Sequence, residues 1–211
     1  GIRLQGPSYA GVKNVYVRNT ANNGIVVHAG DIAIENSTVE YAGGSGLSLW
    51  RGASARIVGN SHFRNSHSAG INATSNSTVS ANGGTISANV TGVLLEAGSH
   101  GSFSGVTISE NTETGIKVVF SQAMIASRNV ISSNANWGIW VLNGSSAAID
   151  GNKIESSLVP ALALVREGFA VRQPFHTHQI DVRIRPEIDP PDNSAGRLNQ
   201  TQTDHDVRIS C

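Results

Sequence analysis

Apolar residues return along this chain in three interleaved columns, each stepping by 22 to 24 residues. In the first, a glycine precedes an aliphatic residue: Gly24-Ile25, Gly46-Leu47, Gly70-Ile71, Gly92-Val93, Gly115-Ile116 and Gly138-Ile139. Pro160-Ala161 reads as a further copy with its glycine replaced. The second column is Val17, Val39, Phe63, Ile86, Ile108, Ile131 and Ile154. The third is Val12, Ile34, Ile57, Val79, Phe103, Ile125, Ile149 and Val171. After each glycine the apolar positions alternate, as in Ile25/Val27, Leu47/Leu49, Ile116/Val118 and Ile139/Val141. Alternation with period two is the signature of a strand with one buried face, and no recurrence at three and four supports a helix.

Three short strands and three turns per unit cannot bury their own apolar sides, but stacked units place like residues over like. The pattern therefore predicts an all-β fold, a right-handed parallel β-helix of about seven rungs. It runs at least from about residue 12 to residue 171, with 1–171 as the domain. A left-handed β-helix would repeat every six residues and does not fit the spacing. Seven rungs of roughly 4.8 Å make a rod about 34 Å long. Asn36, Asn60, Gly83, Gly105 and Gly151 are the expected turn residues, because asparagine and glycine tolerate positive φ.

Composition agrees with a turn-rich solenoid. Only 14% of residues are charged while 23 of the 211 are glycine. Lys+Arg and Asp+Glu balance at 15 each with no basic run, so nucleic acid is not an expected partner. No apolar stretch is long enough to span a bilayer. Cys211 is the single cysteine, so no intrachain disulfide is expected. The chain begins without Met or a signal peptide, as expected of a mature form or an excised piece.

The runs "GNSHFRNSHSAGINA" and "SRNVISSNANWGIWV" resemble the repeat of the pectate-lyase-like superfamily of parallel β-helices. The resemblance covers about 160 residues and bears on fold, not on activity. It implies a protein that binds or processes polysaccharide, secreted or at the cell surface. The polygalacturonase signatures are missing. No two adjacent rungs place acids at equivalent outward positions, as a Ca²⁺-dependent lyase would require. No cofactor or metal is expected. His176 and His178, with Asp181 or His205, are the only arrangement that suggests metal ligands, and no third ligand has a defined position.

After Val171 the beat stops. Residues 172–211 hold four of the six prolines, and Gln179 to Arg185 alternates at Ile180, Val182 and Ile184. One strand is expected there and a second at Asp206 to Ile209, with the Pro-rich middle equally compatible with irregular chain.

Two outward constellations are candidates for glycan binding. Flanking the Val17/Val39/Phe63 column are Tyr16, Thr38 and His62 in one row and Arg18, Glu40 and Arg64 in the next. They could dock an acidic glycan, perform a β-elimination, or merely decorate the surface. On the glycine-column sheet, His28 lies over Trp50 beside Arg51, either a sugar platform or a ring covered by a loop or the tail. That sheet also turns outward Leu94, Val119, Trp140, Leu142, Leu162 and Leu164, an apolar patch that the tail, a second subunit or a ligand should cover. Asn36, Asn72, Asn76, Asn89, Asn143 and Asn199 head Asn-x-Ser/Thr triplets.

The leading expectation is a domain recognising acidic polysaccharide on a side face, without evident catalysis. The alternatives are a polysaccharide lyase or uronate epimerase, and a structural or adhesin module with a partner or second copy on the Trp140 face.

Overall fold

The computed structural model describes residues 1–156 and the backbone of 162–164. Among the described residues twenty-two strands form three parallel sheets, each strand pairing with its counterpart one turn away. The result is a parallel β-solenoid of about seven rungs. The first sheet holds Ile2–Gln5, Ile25–His28, Leu47–Trp50, Ala69–Ala73, Thr91–Glu96, Thr114–Val119, Trp137–Leu142 and Leu162–Leu164. The second runs from Tyr9–Lys13 to Ser146–Asp150 and the third from Tyr16–Thr20 to Lys153–Ser156. The solenoid thus starts a strand earlier than the Val12 column implies, because Ile2 pairs with Ile25 and extends the glycine column.

The first and second columns stack as expected. Ile25, Leu47, Ile71, Val93, Ile116 and Ile139 are all fully buried, in register from strand to strand. The Val17 column keeps register through Ile154. In the third column the residue over Ile57 is Ala81, not Val79, which stacks on Ala55. A slip of two leaves both side chains on the buried face, so period alone cannot distinguish them. Volume does: small Ala81 is matched by Val79 in the adjoining row, and in the next rung Phe103 is matched by Gly101. A β-carbon at Gly101 would come within 2.6 Å of the Phe103 ring.

The last rung is displaced by one residue. Leu162 pairs with Ile139 and Leu164 with Val141, so Ala163 shares the row of Trp140. The expected outward places of Leu162 and Leu164 do not match this register; their side chains lie outside the described residues. Also outside are the Pro160-Ala161 copy, Val171, both tail strands, His176, His178, Asp181, His205 and Asn199.

The corners show why the unit repeats. Each is bent by left-handed residues, among them Asn36, Gly83, Gly105 and Gly151; in the turn expected at Asn60 it is Gly59 that has positive φ. At the corner entering the first sheet the left-handed column is Asn19, Tyr41, Asn65, Ala88, Glu110 and Ser133, without a glycine. Beside these bends, a side-chain oxygen from the next rung accepts the backbone N–H that the strands leave open. The Asn111 Oδ1 accepts from Asn89 N at 3.1 Å, and Asn134 Oδ1 from Asn111 N at 3.1 Å. Serines do the same at another corner, Ser77 N to Ser99 Oγ, Ser99 N to Ser121 Oγ and Ser121 N to Ser145 Oγ. The glycine column is required by this packing rather than by φ. A β-carbon on Gly92 would lie 2.5 Å from Gly115 O and 2.9 Å from Asn111 Nδ2.

Candidate functional site

Stacked parallel strands bring residues that are 22 to 24 apart in sequence into contact, and the third sheet does this for the polar strip. Tyr16 pairs with Thr38 and Arg18 with Glu40; in the next rung Thr38 pairs with His62 and Glu40 with Arg64. Both expected rows therefore exist. Val17, Val39 and Phe63 point inward between them and fix the outward direction of their neighbours.

Within the strip Glu40 is the hub. One carboxylate oxygen accepts the Tyr16 hydroxyl and the other accepts Arg64 Nε at 2.7 Å. Its two neighbours cover it so well that only 6% of Glu40 is exposed. The Tyr16 hydrogen bond and the Arg64 guanidinium hold its carboxyl below the ordinary carboxylate range, against the opposing effect of desolvation. The same hydrogen bond and the negative charge push the Tyr16 phenol up. Arg64 is raised by its bond to Glu40.

Tyr16 remains half-exposed, at 52%, because only its hydroxyl end is engaged. Arg18, two residues along the strand, lies over the ring with its guanidinium carbon 5.6 Å from the centroid. Among the described residues Arg18 forms no ion pair, the three present being Lys13–Glu35, Arg64–Glu40 and Lys153–Glu155. The strip thus has an anchored aromatic face with a free cation beside it.

As acid–base chemistry it offers less. Tyr16 donates to a carboxylate, and its raised pKa opposes use as a base. Both Glu40 oxygens are occupied and its pKa is lowered, which makes it a weak base. His62 lies two rungs from Tyr16 in the same row, with Thr38 between them.

The second constellation sits on the first sheet, away from the strip. His28 and Trp50 pair across adjacent strands and stack at 5.9 Å with an interplanar angle of 24°. Trp50 is 40% exposed, and its indole N–H donates to Ser48 Oγ. Arg51 leaves the stack, at a left-handed corner position.

Further along that sheet Leu94, Val119, Trp140 and Leu142 are partly exposed outward residues, with Lys117 Nζ 4.7 Å from the centre of the Trp140 ring. Among the described residues no three His, Cys, Asp or Glu side chains gather as metal ligands. No described helix is long and apolar enough to cross a membrane.

Sequence reading missed the interior side-chain ladders. Asn89, Asn111 and Asn134 keep the repeat spacing, as do Ser77, Ser99, Ser121 and Ser145, and that regularity was the available signal. One consequence is that Asn89, 1% exposed and hydrogen-bonded through its amide, cannot accept a glycan in the folded chain. A family model described as a right handed beta helix region matches residues 1–154. No curated protein and no solved structure matches the chain.

Proposed function

We propose that this chain, which belongs to the right-handed β-helix family, binds an acidic polysaccharide along the first three rungs of its third sheet. The observation that carries the reading is the half-exposed Tyr16 ring, held through Glu40, itself bonded to Arg64, and flanked by Arg18, which forms no ion pair among the described residues. An exposed tyrosine is usually free to rotate. Here its hydroxyl is fixed, so less rotamer entropy is lost when a sugar face stacks on it. Arg18 then meets the carboxylate of a uronate unit with a planar pair of donors. Arg64 neutralises Glu40, which would otherwise repel such a ligand, and His62 extends the row of Tyr16 and Thr38. Successive rungs rise by roughly 4.8 Å, close to the length of one sugar unit, so an extended chain can run along the strip.

The reading is one of binding. The Tyr16–Glu40 pair holds its proton on the phenol and leaves neither oxygen group suited to abstract one near neutral pH. The test is calorimetric titration with an oligogalacturonate and with an uncharged oligosaccharide of equal length. Arg18→Ala should lower oligogalacturonate affinity about tenfold, the loss of one charge-assisted contact of about 1.5 kcal/mol. Tyr16→Phe should weaken it less, by releasing the ring. Rising salt should weaken it in the wild type. Equal affinity for the charged and uncharged ligands, unmoved by Arg18→Ala, would refute the proposal.

A further inference from the structure

The outer face of the first sheet changes character along the rod. Its central outward row begins with Arg3, Val26, Ser48 and Asn72, then turns to Leu94, Lys117 and Trp140, with Val119 and Leu142 in the adjoining row. Trp137 leans on Trp140 from one side, ring centroids 6.1 Å apart, and Lys117 covers it from another. The apolar surface continues around the corner at Phe120, which is 63% exposed in a left-handed position where other rungs carry Ala29, Arg51, Ala97 or Asn143. Trp140 Nε1 is buried and has no hydrogen-bond partner among the described residues. Leu94, Val119, Trp140, Leu142 and Phe120 together form an outer apolar surface of the kind that another element covers.

We propose that the complement is the C-terminal segment of the same chain, residues 172–211, laid across this face. The last described strand, Leu162–Leu164, pairs directly with Trp137–Leu142, so the rest of the chain begins at the border of the patch. Forty-seven residues follow Leu164 (211 − 164). The 16 residues from Leu164 to Ile180 can span about 50 Å when extended, whereas Leu94 and Trp140 are two rungs, about 10 Å, apart. Reach is therefore no constraint. The run Gln179 to Arg185 alternates, so as a strand it would turn Ile180, Val182 and Ile184 to one side and Asp181 and Arg183 to the other. Such a segment has an apolar edge to lay on leucine and tryptophan and a charged edge for water.

Hydroxyl-radical footprinting of the full chain, with its mass measured by light scattering, tests this. Val182→Asp should raise oxidation of the peptide carrying Trp137 and Trp140 at least threefold, leave Trp50 unchanged and leave the chain monomeric. Reciprocally, Leu142→Glu should speed proteolytic cleavage within 172–211 by a similar factor. Val182 follows the repeat in sequence and belongs to none of its three apolar columns, so that variant carries the test alone if Leu142→Glu fails to fold. Oxidation of Trp140 unchanged by Val182→Asp would overturn the proposal. So would a full chain that is dimeric and loses Trp140 protection on dilution, which would assign the face to a second copy. Protection that arises only when a glycan is added would assign it to a ligand. Neither outcome bears on the Tyr16 strip, which lies on a different sheet.

Discussion

The third sheet has the same inward column throughout but two different outer surfaces. In its first three rungs the outward rows hold Tyr16, Arg18, Glu40, His62 and Arg64; in the next two they hold Thr85, Ser87, Thr107 and Ser109. The corners change in the opposite sense. At the corner before this sheet the early rungs use serine, with Ser61 Oγ accepting Ser37 N at 3.4 Å. Later rungs use asparagine there. The Asn129 Oδ1 accepts Val106 N at 2.9 Å, while its Nδ2 donates to Phe103 O, Ala126 O and Asn152 Oδ1. Burial does not separate the two halves: Ile2, Leu4 and Val17 at one end and Ile149 and Ile154 at the other are partly buried, whereas Val39 and Phe63 are as fully buried as Ile108 and Ile131. The strip proposed to bind glycan therefore lies where this corner carries fewer side-chain hydrogen bonds, and the asparagine corner lies where the surface is plain. Binding surfaces are commonly drawn from the lower-stability part of a fold.

The largest expected effect breaks the interior that both halves share. Ile116→Asp would bury an unpaired carboxylate among fully buried aliphatics and should abolish folding, read as loss of the β-sheet circular dichroism signal. Next, the two kinds of corner can be set against each other by chemical denaturation. Asn129→Ala removes an acceptor and three donor contacts and should destabilise by about 2–3 kcal/mol; Ser61→Ala, which removes one long contact and one short, should cost about 1 kcal/mol. Equal costs would dissolve the distinction between the halves. Ala88→Gly addresses the strain common to both. Ala88 has φ of 54°, where a β-carbon is unfavourable, so glycine should stabilise by about 1 kcal/mol.

The smallest effect concerns the strip itself. Glu40 titrates below its ordinary value of 4.5, so its contribution to stability is present above that pH and lost as pH falls through the lowered value. Tyr16 titrates above 10.0, so its contribution is present below pH 10.0 and lost as pH rises through the raised value. Tyr16→Phe should therefore remove the alkaline part of this dependence, measured as melting temperature against pH. A wild-type profile identical to that of Tyr16→Phe above pH 10 would show that the bond does not persist in solution.

How much of this was legible in the sequence depends on what each residue answers to. The solenoid was, because a buried face repeats with a fixed beat whatever else the rung carries. The row of Arg18, Glu40 and Arg64 was legible for the same reason, since outward neighbours inherit the register of Val17, Val39 and Phe63. The exchange of Val79 for Ala81 was not, because both positions face inward and only packing volume separates them. Nor was the role of Glu40 as hub, which depends on the Tyr16 side chain reaching across a rung rather than on spacing. The interior asparagines kept the repeat spacing but were not read as a ladder, since spacing alone does not separate an asparagine that bends a corner from one that caps it.

The central claim is that the early rungs of the third sheet, and not the later ones, recognise an acidic glycan. It is tested most directly by following backbone amide resonances of the full chain during titration with an oligogalacturonate. Shifts should concentrate in Tyr16–Thr20, Thr38–Ala42 and His62–Arg64, with Thr85–Ser87 and Thr107–Ser109 unmoved. Shifts centred on the later strands, or none at saturating ligand, would contradict the account.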